Sequence, residues 1–533
     1  MSLETAKAAI ANRAVYEAET ILRELLSQDP DNANAQLLLA NVMADRGELQ
    51  NAKTLLTPLI NSALSAEALK LLVLIQYELQ EFSQCEATSE RLIASHPSSV
   101  PPEIFLQLAK LKMRLGKTEA ARTVLQTAIS HHPDAAWLVC RRAALLEDKA
   151  QACAELETHL ATHTLQPGAV SEILKEITLN RAVLRRREQE LPLSFGISWA
   201  DTCNWPDQNG LEQLRDALSR ELASPKPRII GLVDLACIAI AQQDWPRAAG
   251  LMDLLRKSVR KKKGIFADYL SFASGLHDEL GRHTDDIIAS GLPPVEHILS
   301  QPYRGDTTLF LASDPKYFQH FTIPFLNALE DANIPLDAHV HIFDVSEVEK
   351  STLQQALTKF RTVAIALSVE NAAAKMRGLD YARIYYHAVR FIRFYEELRR
   401  TRRRTWIMDV DVHLLRDPRE LLSGLMHYDA AFQSTPLNFD PAHKIRANCV
   451  GISPTSRGLE FARRVAAYIS YWRIDDLWGW GIDQTALFAC YAHMHASGNA
   501  PNTLFLDSTQ VCMLGETSGV FQFPTSWTKW SEN

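Results

Sequence analysis

The chain has 533 residues, of which 47% are hydrophobic and 22% are charged. This composition is typical of a folded chain of three to four domains, and it excludes a disordered, collagen-like or disulfide-scaffold protein. The formal net charge of −7 argues against a nucleic-acid partner, because a large nucleic-acid-binding surface must neutralise many phosphates.

The beginning of the chain, MSLETAKAAIANRAVYEAET, has no apolar core of the kind found in signal peptides. The longest apolar stretch, residues 229–241, is too short to span a bilayer and contains Asp234. The eight cysteines form no CxxC pair, which is typical of buried thiols in a reducing compartment. We therefore expect a cytoplasmic protein without a transmembrane segment, and peripheral contact with a membrane stays open as an alternative.

The first half of the chain contains a repeated pattern of small residues. A small residue is followed seven positions later by a glycine or polar residue, and five positions after that by another small residue. The copies are Ala40-Gly47-Ala52, Val73-Gln80-Cys85 and Ala109-Gly116-Ala121, with a later copy at Ala236-Gln243-Ala248.

This pattern resembles the tetratricopeptide repeat, a helix pair that recurs about every 34 residues. It predicts a helical solenoid over residues 1–160, and a further helical region over 161–300 with at least one repeat near 230–260. Stacked repeats form a concave groove that suits extended peptides, so the resemblance implies a protein or glycan acceptor bound there. A helical spacer or a dimerisation surface is the alternative.

From about residue 301 the pattern changes to alternating strands and helices. The runs TTLFLAS, AHVHIFDV, TVAIALSV and TWIMDVDVHLL are predicted strands, and the segment DYARIYYHAVRFIRFYEELRR is a predicted long helix. Such alternation favours an α/β sheet with helices on both faces over residues 301–533. In sheets of this kind, ligands bind at the carboxyl ends of the strands.

Two carboxylates lie in the last of these predicted strands, directly after its apolar run Trp406–Met408. Asp409 and Asp411 are two positions apart, so in an extended chain they point to the same side. Paired oxygen ligands suit Mg²⁺ or Mn²⁺, which in turn bridge a diphosphate. Two solvated acids at the end of a strand are the alternative interpretation.

Four blocks in order resemble the nucleotide-sugar transferases of the GT-A (Rossmann-like) fold, nearest to glycogenin and the bacterial lipopolysaccharide galactosyltransferases. They are LFLASDPKYFQHFTIPFLNAL, DYARIYY, WIMDVDVHLLRDP, and RANCVGISP followed by GIDQTALF. The resemblance implies a hexosyltransferase of the retaining class that uses a UDP-sugar. Its implied site residues are Asp409 and Asp411 for the metal; Asp314, Tyr317, Arg383, Asn448 and Lys529 for the donor; and Asp483 and Gln484 for catalysis.

Two tryptophans just before the Asp-Gln pair complete the predicted site. The apolar faces of sugars stack on aromatic rings, so Trp478 and Trp480 are expected to contact the acceptor, and a core or lid cluster is the alternative. The family's C-terminal His is missing, since His493 and His495 fall too early.

This departure leaves a second hypothesis open, a non-catalytic scaffold with a degenerate transferase domain. A nucleotidyl- or phosphotransferase is a third hypothesis, although the chain has no GxxxxGK[ST] motif.

Overall fold

The computed structural model describes residues 2–12, 14–224, 229–259, 274–371, 377–438, 443–474, 478–513 and 519–523. The chain divides into two compact units, Met1–Arg181 and Ala182–Asn533. Each unit is described by itself, and the boundaries expected at residues 160 and 300 stay predictions. In the described part of the chain, no helix is both long enough and apolar enough to cross a bilayer.

The N-terminal unit is built from antiparallel helix pairs. Two short 3₁₀ segments, Thr57–Asn61 and Pro97–Ser99, follow the second and third pairs. The helices are α1 (Leu3–Ala11), α2 (Val15–Gln28), α3 (Ala33–Asp45), α4 (Leu49–Leu56), α5 (Ser65–Glu78), α6 (Phe82–Ser95), α7 (Pro102–Arg114), α8 (Thr118–His131), α9 (Ala136–Ala144), α10 (Lys149–Thr162) and α11 (Pro167–Glu188), the last of which runs past Arg181.

The repeated positions of the sequence have repeated structural roles. The residue at the glycine or polar position lies in the turn between the two helices of a pair and has a left-handed backbone conformation. Its φ is 81° at Gly47, 59° at Gln80 and 72° at Gly116. Only glycine adopts this conformation without steric cost. The six small residues of these three copies are at most 2% exposed, because the paired helices cross closely there. The predicted helical repeats are confirmed.

The C-terminal unit contains further helices. The pair α14–α15 also has a left-handed residue at its turn, Gln243, with a φ of 57°. A π-helical segment, Phe318–Thr322, joins α18 to α19. The helices are α12 (Trp199–Cys203), α13 (Gln208–Leu222), α14 (Ile229–Ala241), α15 (Trp245–Val259), α16 (Ser274–Arg282), α17 (Asp285–Ala289), α18 (Pro315–Tyr317), α19 (Ile323–Asp331), α20 (Glu347–Thr358), α21 (Leu379–Thr401), α22 (Arg419–Gly424), α23 (Ser456–Ile474) and α24 (Ile482–Ala496).

The strands of the C-terminal unit form a mixed eight-stranded sheet and a small three-stranded sheet. The large sheet has the order β1-β4-β3-β2-β5-β8-β7-β9, and the small one β10-β11-β6. Strands β4, β3, β2 and β5 are parallel, whereas β1 and β8 run antiparallel to their neighbours β4 and β5. The strands are β1 (Val295–Ser300), β2 (Thr307–Ser313), β3 (Asp337–Ile342), β4 (Ala364–Glu370), β5 (Arg404–Met408), β6 (His413–Leu414), β7 (Ala430–Ser434), β8 (Ile445–Ile452), β9 (Thr503–Phe505), β10 (Val511–Met513) and β11 (Phe521–Phe523).

The two faces of the large sheet differ in chemistry. One face is apolar and packs with side chains of α19, α20 and α22 in a single hydrophobic core. The other face carries His339 and His341, whose ring nitrogens lie 2.7 and 2.8 Å from the Ser368 hydroxyl oxygen. On this second face, α21 supplies Glu397, which lies 2.9 Å from the second ring nitrogen of His339.

Candidate functional site

The two carboxylates of the predicted metal motif follow β5. The backbone N–H of Asp409 donates to the Asn448 carbonyl at 2.9 Å, which ties the end of β5 to β8. Asp411 lies two residues further on. Burial, and next the negative charge of Asp409, raise the pKa of Asp411 to about 7. The pair therefore concentrates negative charge in a partly desolvated place.

A buried arginine, Arg390 of α21, connects this pair to the predicted catalytic pair. Arg390 is 5% exposed, and its guanidinium donates both to the Asp409 carboxylate and, at 3.1 Å, to Asp483 Oδ2. Burial lowers the pKa of Arg390, but the two carboxylates outweigh it and the net change is upward. One planar fork thus holds two carboxylates that are far apart in the sequence.

Sequence reasoning missed Arg390, although a signal existed. Arg390 lies seven residues after Arg383, so the two arginines share one face of α21. His387, between them, lies on that face as well. Burial and the charge of Arg390 lower the pKa of His387, and its ring centre is 4.3 Å from that of Trp480.

Three of the predicted donor residues lie near the metal motif. The Asp314 side chain accepts from the Tyr317 backbone N–H at 2.8 Å and caps α18. Burial and the charges of Asp411 and Asp314 raise the pKa of Tyr317, and Arg383 acts in the opposite direction. Asp411, Asp314 and Arg383 are therefore each within electrostatic range of Tyr317. Asp314 also lines a cavity of about 590 Å³.

The remaining predicted site residues of β8 and α24 lie beside the Arg390 contacts. The N-cap residue of α24 is Gly481, with a φ of 82°, so no side chain caps the helix at this position. Asp483 therefore does not cap the helix; its carboxylate binds Arg390 and accepts from the Gln484 backbone N–H at 2.8 Å. The Asn448 side-chain oxygen is buried without a hydrogen-bond partner among the described residues.

The two tryptophans have different surroundings. Trp478 is 8% exposed and packs edge-on against Tyr381 and Tyr385, with ring centres 5.7 and 6.2 Å away. Trp480 is 46% exposed, so it presents an aromatic surface to solvent. Lys529 lies outside the described residues.

The described part of the site offers two carboxylates, Asp409 and Asp411, to a divalent cation. Within the described ranges, no group of three or more His, Cys, Asp or Glu side chains is arranged to hold a metal ion. Asp409 and Asp411 nevertheless fit a hard cation as a pair of carboxylates, since Mg²⁺ commonly binds one or two carboxylates and completes its shell with water and phosphate oxygens. Burial, and next the charge of Asp409, raise the pKa of Asp411, so a bound cation would stabilise the ionised form of this carboxyl group.

Comparison with known proteins supports the helical repeats. Two sequence models of the tetratricopeptide repeat match residues 9–75 and 102–145. Such repeats suggest a protein-interaction scaffold. No curated protein matches the chain.

Several solved repeat proteins are similar to part of the chain. MamA shares 17% identity over 36% of this chain and 97% of its own, with a TM-score of 0.26. A repeat protein from Parabacteroides merdae shares 12% identity over 49% of this chain and 93% of its own, with a TM-score of 0.32. YrrB, described as a TPR protein with an unusual peptide-binding site, shares 12% identity over 37% of this chain and 91% of its own, with a TM-score of 0.27.

Proposed function

We propose that the C-terminal unit is a metal-dependent glycosyltransferase and that the repeats recruit its acceptor. The observation that carries the proposal is the Arg390 bridge. It joins Asp409, at the carboxyl end of a parallel strand, to Asp483, at the start of α24, with Asp411 close by. Ligands bind at this edge of α/β sheets, and ionisable groups with perturbed pKa values, such as Asp411, cluster at functional sites.

Each residue of the cluster has a chemical role in this proposal. Asp409 and Asp411 would hold Mg²⁺ or Mn²⁺, which when bound neutralises charge on a nucleotide diphosphate. The exposed Arg383 provides a planar fork for a phosphate, and Tyr317 provides a ring for the base. Arg390 is a positioning residue, because it fixes the orientation of the carboxylates.

The second group of residues acts on the sugars. Asp483 and Gln484 would contact hydroxyls of the donor sugar or its reacting face. The exposed ring of Trp480 suits the apolar face of an acceptor sugar, whereas Trp478, which is 8% exposed, offers little surface for such a contact. Lys529 would neutralise phosphate as a point charge. The family resemblance adds that the donor is a UDP-sugar and that the transferred hexose retains its configuration.

The decisive experiment is transfer from a panel of UDP-sugars with Mn²⁺, with and without the Asp411→Asn substitution. The variant is expected to lose at least 100-fold in turnover, on the order of what one electrostatic contact supplies at a reacting centre. Asp417→Asn is the matched control, because its exposed carboxylate pairs only locally with Arg419. Equal loss in both variants, or none in Asp411→Asn, would contradict the assignment.

One observation favours a second candidate, a non-catalytic scaffold with a degenerate transferase unit. Arg390 already compensates Asp409, and the described residues supply no third metal ligand from His, Cys, Asp or Glu. Thermal-shift measurements with UDP-sugars separate the two candidates, because a ligand that binds only the native state raises the melting temperature. A shift that needs Mn²⁺ supports the transferase, and no shift with any nucleotide sugar supports the scaffold.

A further inference from the structure

One polar atom beside the Asp409–Asp411 pair lacks a hydrogen bond within the described part of the chain. It is the side-chain oxygen of Asn448, which is buried and accepts from no described residue. Buried polar atoms nearly always have a partner, and where the chain supplies none, a water or an ion commonly does. The position of Asn448 in the large sheet indicates which kind of partner can reach it.

Asn448 lies directly opposite Asp409. Strands β5 and β8 are antiparallel, with Met408 opposite Cys449. One step further along the same register, the Asp409 backbone N–H donates to the Asn448 carbonyl at 2.9 Å. Side chains directly opposite each other in an antiparallel pair project from one face, with Cβ atoms about 4.5–5.5 Å apart. The amide of Asn448 and the carboxylate of Asp409 therefore leave the sheet side by side.

The buried cation of this cluster, Arg390, does not bind the Asn448 side chain. Its terminal nitrogens donate to the carboxylates of Asp409 and Asp483. One of them also donates, at 3.4 Å, to the carbonyl of Ala447, the residue before Asn448. The guanidinium thus comes close to this part of β8 but is directed at other oxygens, and the amide oxygen of Asn448 is left for a ligand.

The charges of the cluster favour a neutral oxygen as a further metal ligand. Among the described residues, Asp409 and Asp411 are joined by no third His, Cys, Asp or Glu in a metal-binding group. Carbonyl oxygens suit Mg²⁺ and Mn²⁺ as well as carboxylates do. Asp483 already adds another carboxylate to a cluster that contains one arginine. An amide oxygen completes the ligand set without one more desolvated charge.

We propose that the side-chain oxygen of Asn448 is the third protein ligand of the divalent cation held by Asp409 and Asp411. This inference rests on the proposed function, because it concerns the same metal. It differs from the family resemblance, which implies a contact between Asn448 and the donor. It also explains how the site functions without a C-terminal histidine: two adjacent strands supply three oxygens, and water and diphosphate oxygens fill the rest of the shell.

The test is Mn²⁺ binding by the full chain, measured from the electron paramagnetic resonance signal of free Mn²⁺, without nucleotide and with UDP. Asn448→Ala removes the ligand and is expected to weaken Mn²⁺ binding about 10-fold. Asn448→Asp replaces a neutral oxygen with a charged one and is expected to strengthen it about 10-fold, because affinity for hard cations rises with ligand charge. Asn499→Asp is the matched control, since it adds the same charge at an exposed position after the far end of α24, and its Mn²⁺ binding should be unchanged.

The two variants of Asn448 separate a ligand from other roles. Weaker Mn²⁺ binding in both variants would overturn the proposal, because an added carboxylate strengthens a direct ligand. Unchanged Mn²⁺ binding in Asn448→Ala would overturn it as well, and a loss of UDP binding by that variant in EDTA would then assign Asn448 to the donor. Urea midpoints show whether each variant folds. If Asn448→Ala does not fold, the gain expected of Asn448→Asp is the test.

The same measurements distinguish this inference from the transferase assignment. The expected Mn²⁺ pattern without transfer from any UDP-sugar would keep the ligand and contradict the transferase. Mn²⁺-dependent transfer that requires Asp411, with equal Mn²⁺ binding by Asn448→Ala, would keep the transferase and overturn the ligand. No Mn²⁺ binding by the unmodified chain up to millimolar concentrations, with or without UDP, would overturn the ligand assignment.

Discussion

At the scale of single residues, the two arginines on one face of α21 differ in what surrounds them. Arg383 is exposed, whereas Arg390 is 5% exposed and binds two carboxylates. Removing a partner from a buried charge cluster is costly, because the remaining charges stay desolvated and uncompensated. The same substitution at the two positions therefore has different consequences.

Arg390→Met is expected to lower the free energy of unfolding of the C-terminal unit by about 3–5 kcal/mol. The cause is the Asp483 carboxylate, which is 5% exposed and would lose its counter-ion. Urea unfolding, followed by tryptophan fluorescence, measures the change. Arg383→Met is the control, with an expected loss of about 1 kcal/mol or less, and similar losses in the two variants would contradict the bridge.

At the scale of elements, the turns of the helical repeats place different residues in the same backbone conformation. Gly47, Gln80 and Gly116 all have φ values between 59° and 81°. No atom lies within 4 Å of a Cβ built on Gly47 or Gly116, so a side chain there meets no neighbour. The left-handed backbone alone sets the energetic preference at these positions.

Opposite substitutions at two of these turns are expected to have opposite effects. Gln80→Gly should raise the stability of the N-terminal unit, and Gly116→Ala should lower it, each by about 1 kcal/mol. Thermal unfolding followed by circular dichroism at 222 nm reports the melting temperatures. A decrease in both variants would show that side-chain contacts, rather than φ, decide the outcome.

The buried ionisable groups on the polar face of the large sheet should make the stability of the C-terminal unit depend on pH. Burial alone raises the pKa of Glu397, but His339 and Arg400 outweigh it and hold that pKa at about 2, below its ordinary 4.5. A carboxyl group whose pKa is lowered by folding stabilises the native state fully above pH 4.5, and this contribution is lost as the pH falls through 2. The side chain is 3% exposed, so solvent screens it little.

Glu397→Gln should therefore flatten the acid side of the stability profile. The unmodified C-terminal unit is expected to lose about 3 kcal/mol from this group between pH 4.5 and pH 2, and the variant should lack that part of the loss. Urea midpoints measured across this range test it. Glu347→Gln, at an exposed position of α20, should follow the unmodified profile.

Sequence patterns predicted the elements with strong periodicity and missed those that depend on distant partners. The segment TTLFLAS, whose centre is apolar and whose residues favour strands, predicts a strand, and it forms β2. β1 was not predicted, because its residues alternate irregularly between exposed and half-buried positions and its pairing partner is β4, about 70 residues later. An edge strand of this kind has no local signature.

The candidate site shows the same limit. The carboxylates Asp409 and Asp411 stand out because two acids follow an apolar run. For Arg390 the sequence offers only its spacing of seven residues from Arg383. Its burial becomes understandable once its partners Asp409 and Asp483 are known. The sequence roles of Asp314, Tyr317, Arg383, Asn448, Asp483 and Gln484 stay predictions until transfer is measured.

At the scale of the whole molecule, the chain joins a helical interaction unit to an α/β unit. The helical pairs of the N-terminal unit stack on their neighbours, and the Asp409–Arg390–Asp483 cluster is built from residues of the C-terminal unit. The proposed function assigns recognition to the first unit and chemistry to the second.

Removal of residues 1–166, up to the start of α11, should separate these roles. Slow hydrolysis of the UDP-sugar is expected to survive, whereas transfer to the natural acceptor in a cell extract should fall at least 10-fold. Chromatographic assay of released UDP and of labelled acceptor measures the two reactions. Undiminished transfer by the shortened chain would mean that the repeats do not select the acceptor.

The sheet order has a consequence for how the chain reaches its native state. In the large sheet, β2 pairs with β5, so Thr307 meets Arg404, and Ala430 of β7 meets Thr503 of β9. Loops of this length must close before such pairs form, whereas each helical repeat needs only its neighbours, and folding rates fall as contacts become less local. Residues 1–181 also leave the ribosome first. The repeats should therefore be able to engage a partner while the sheet is still assembling, so that partner binding precedes the proposed transferase activity during the life of each new chain.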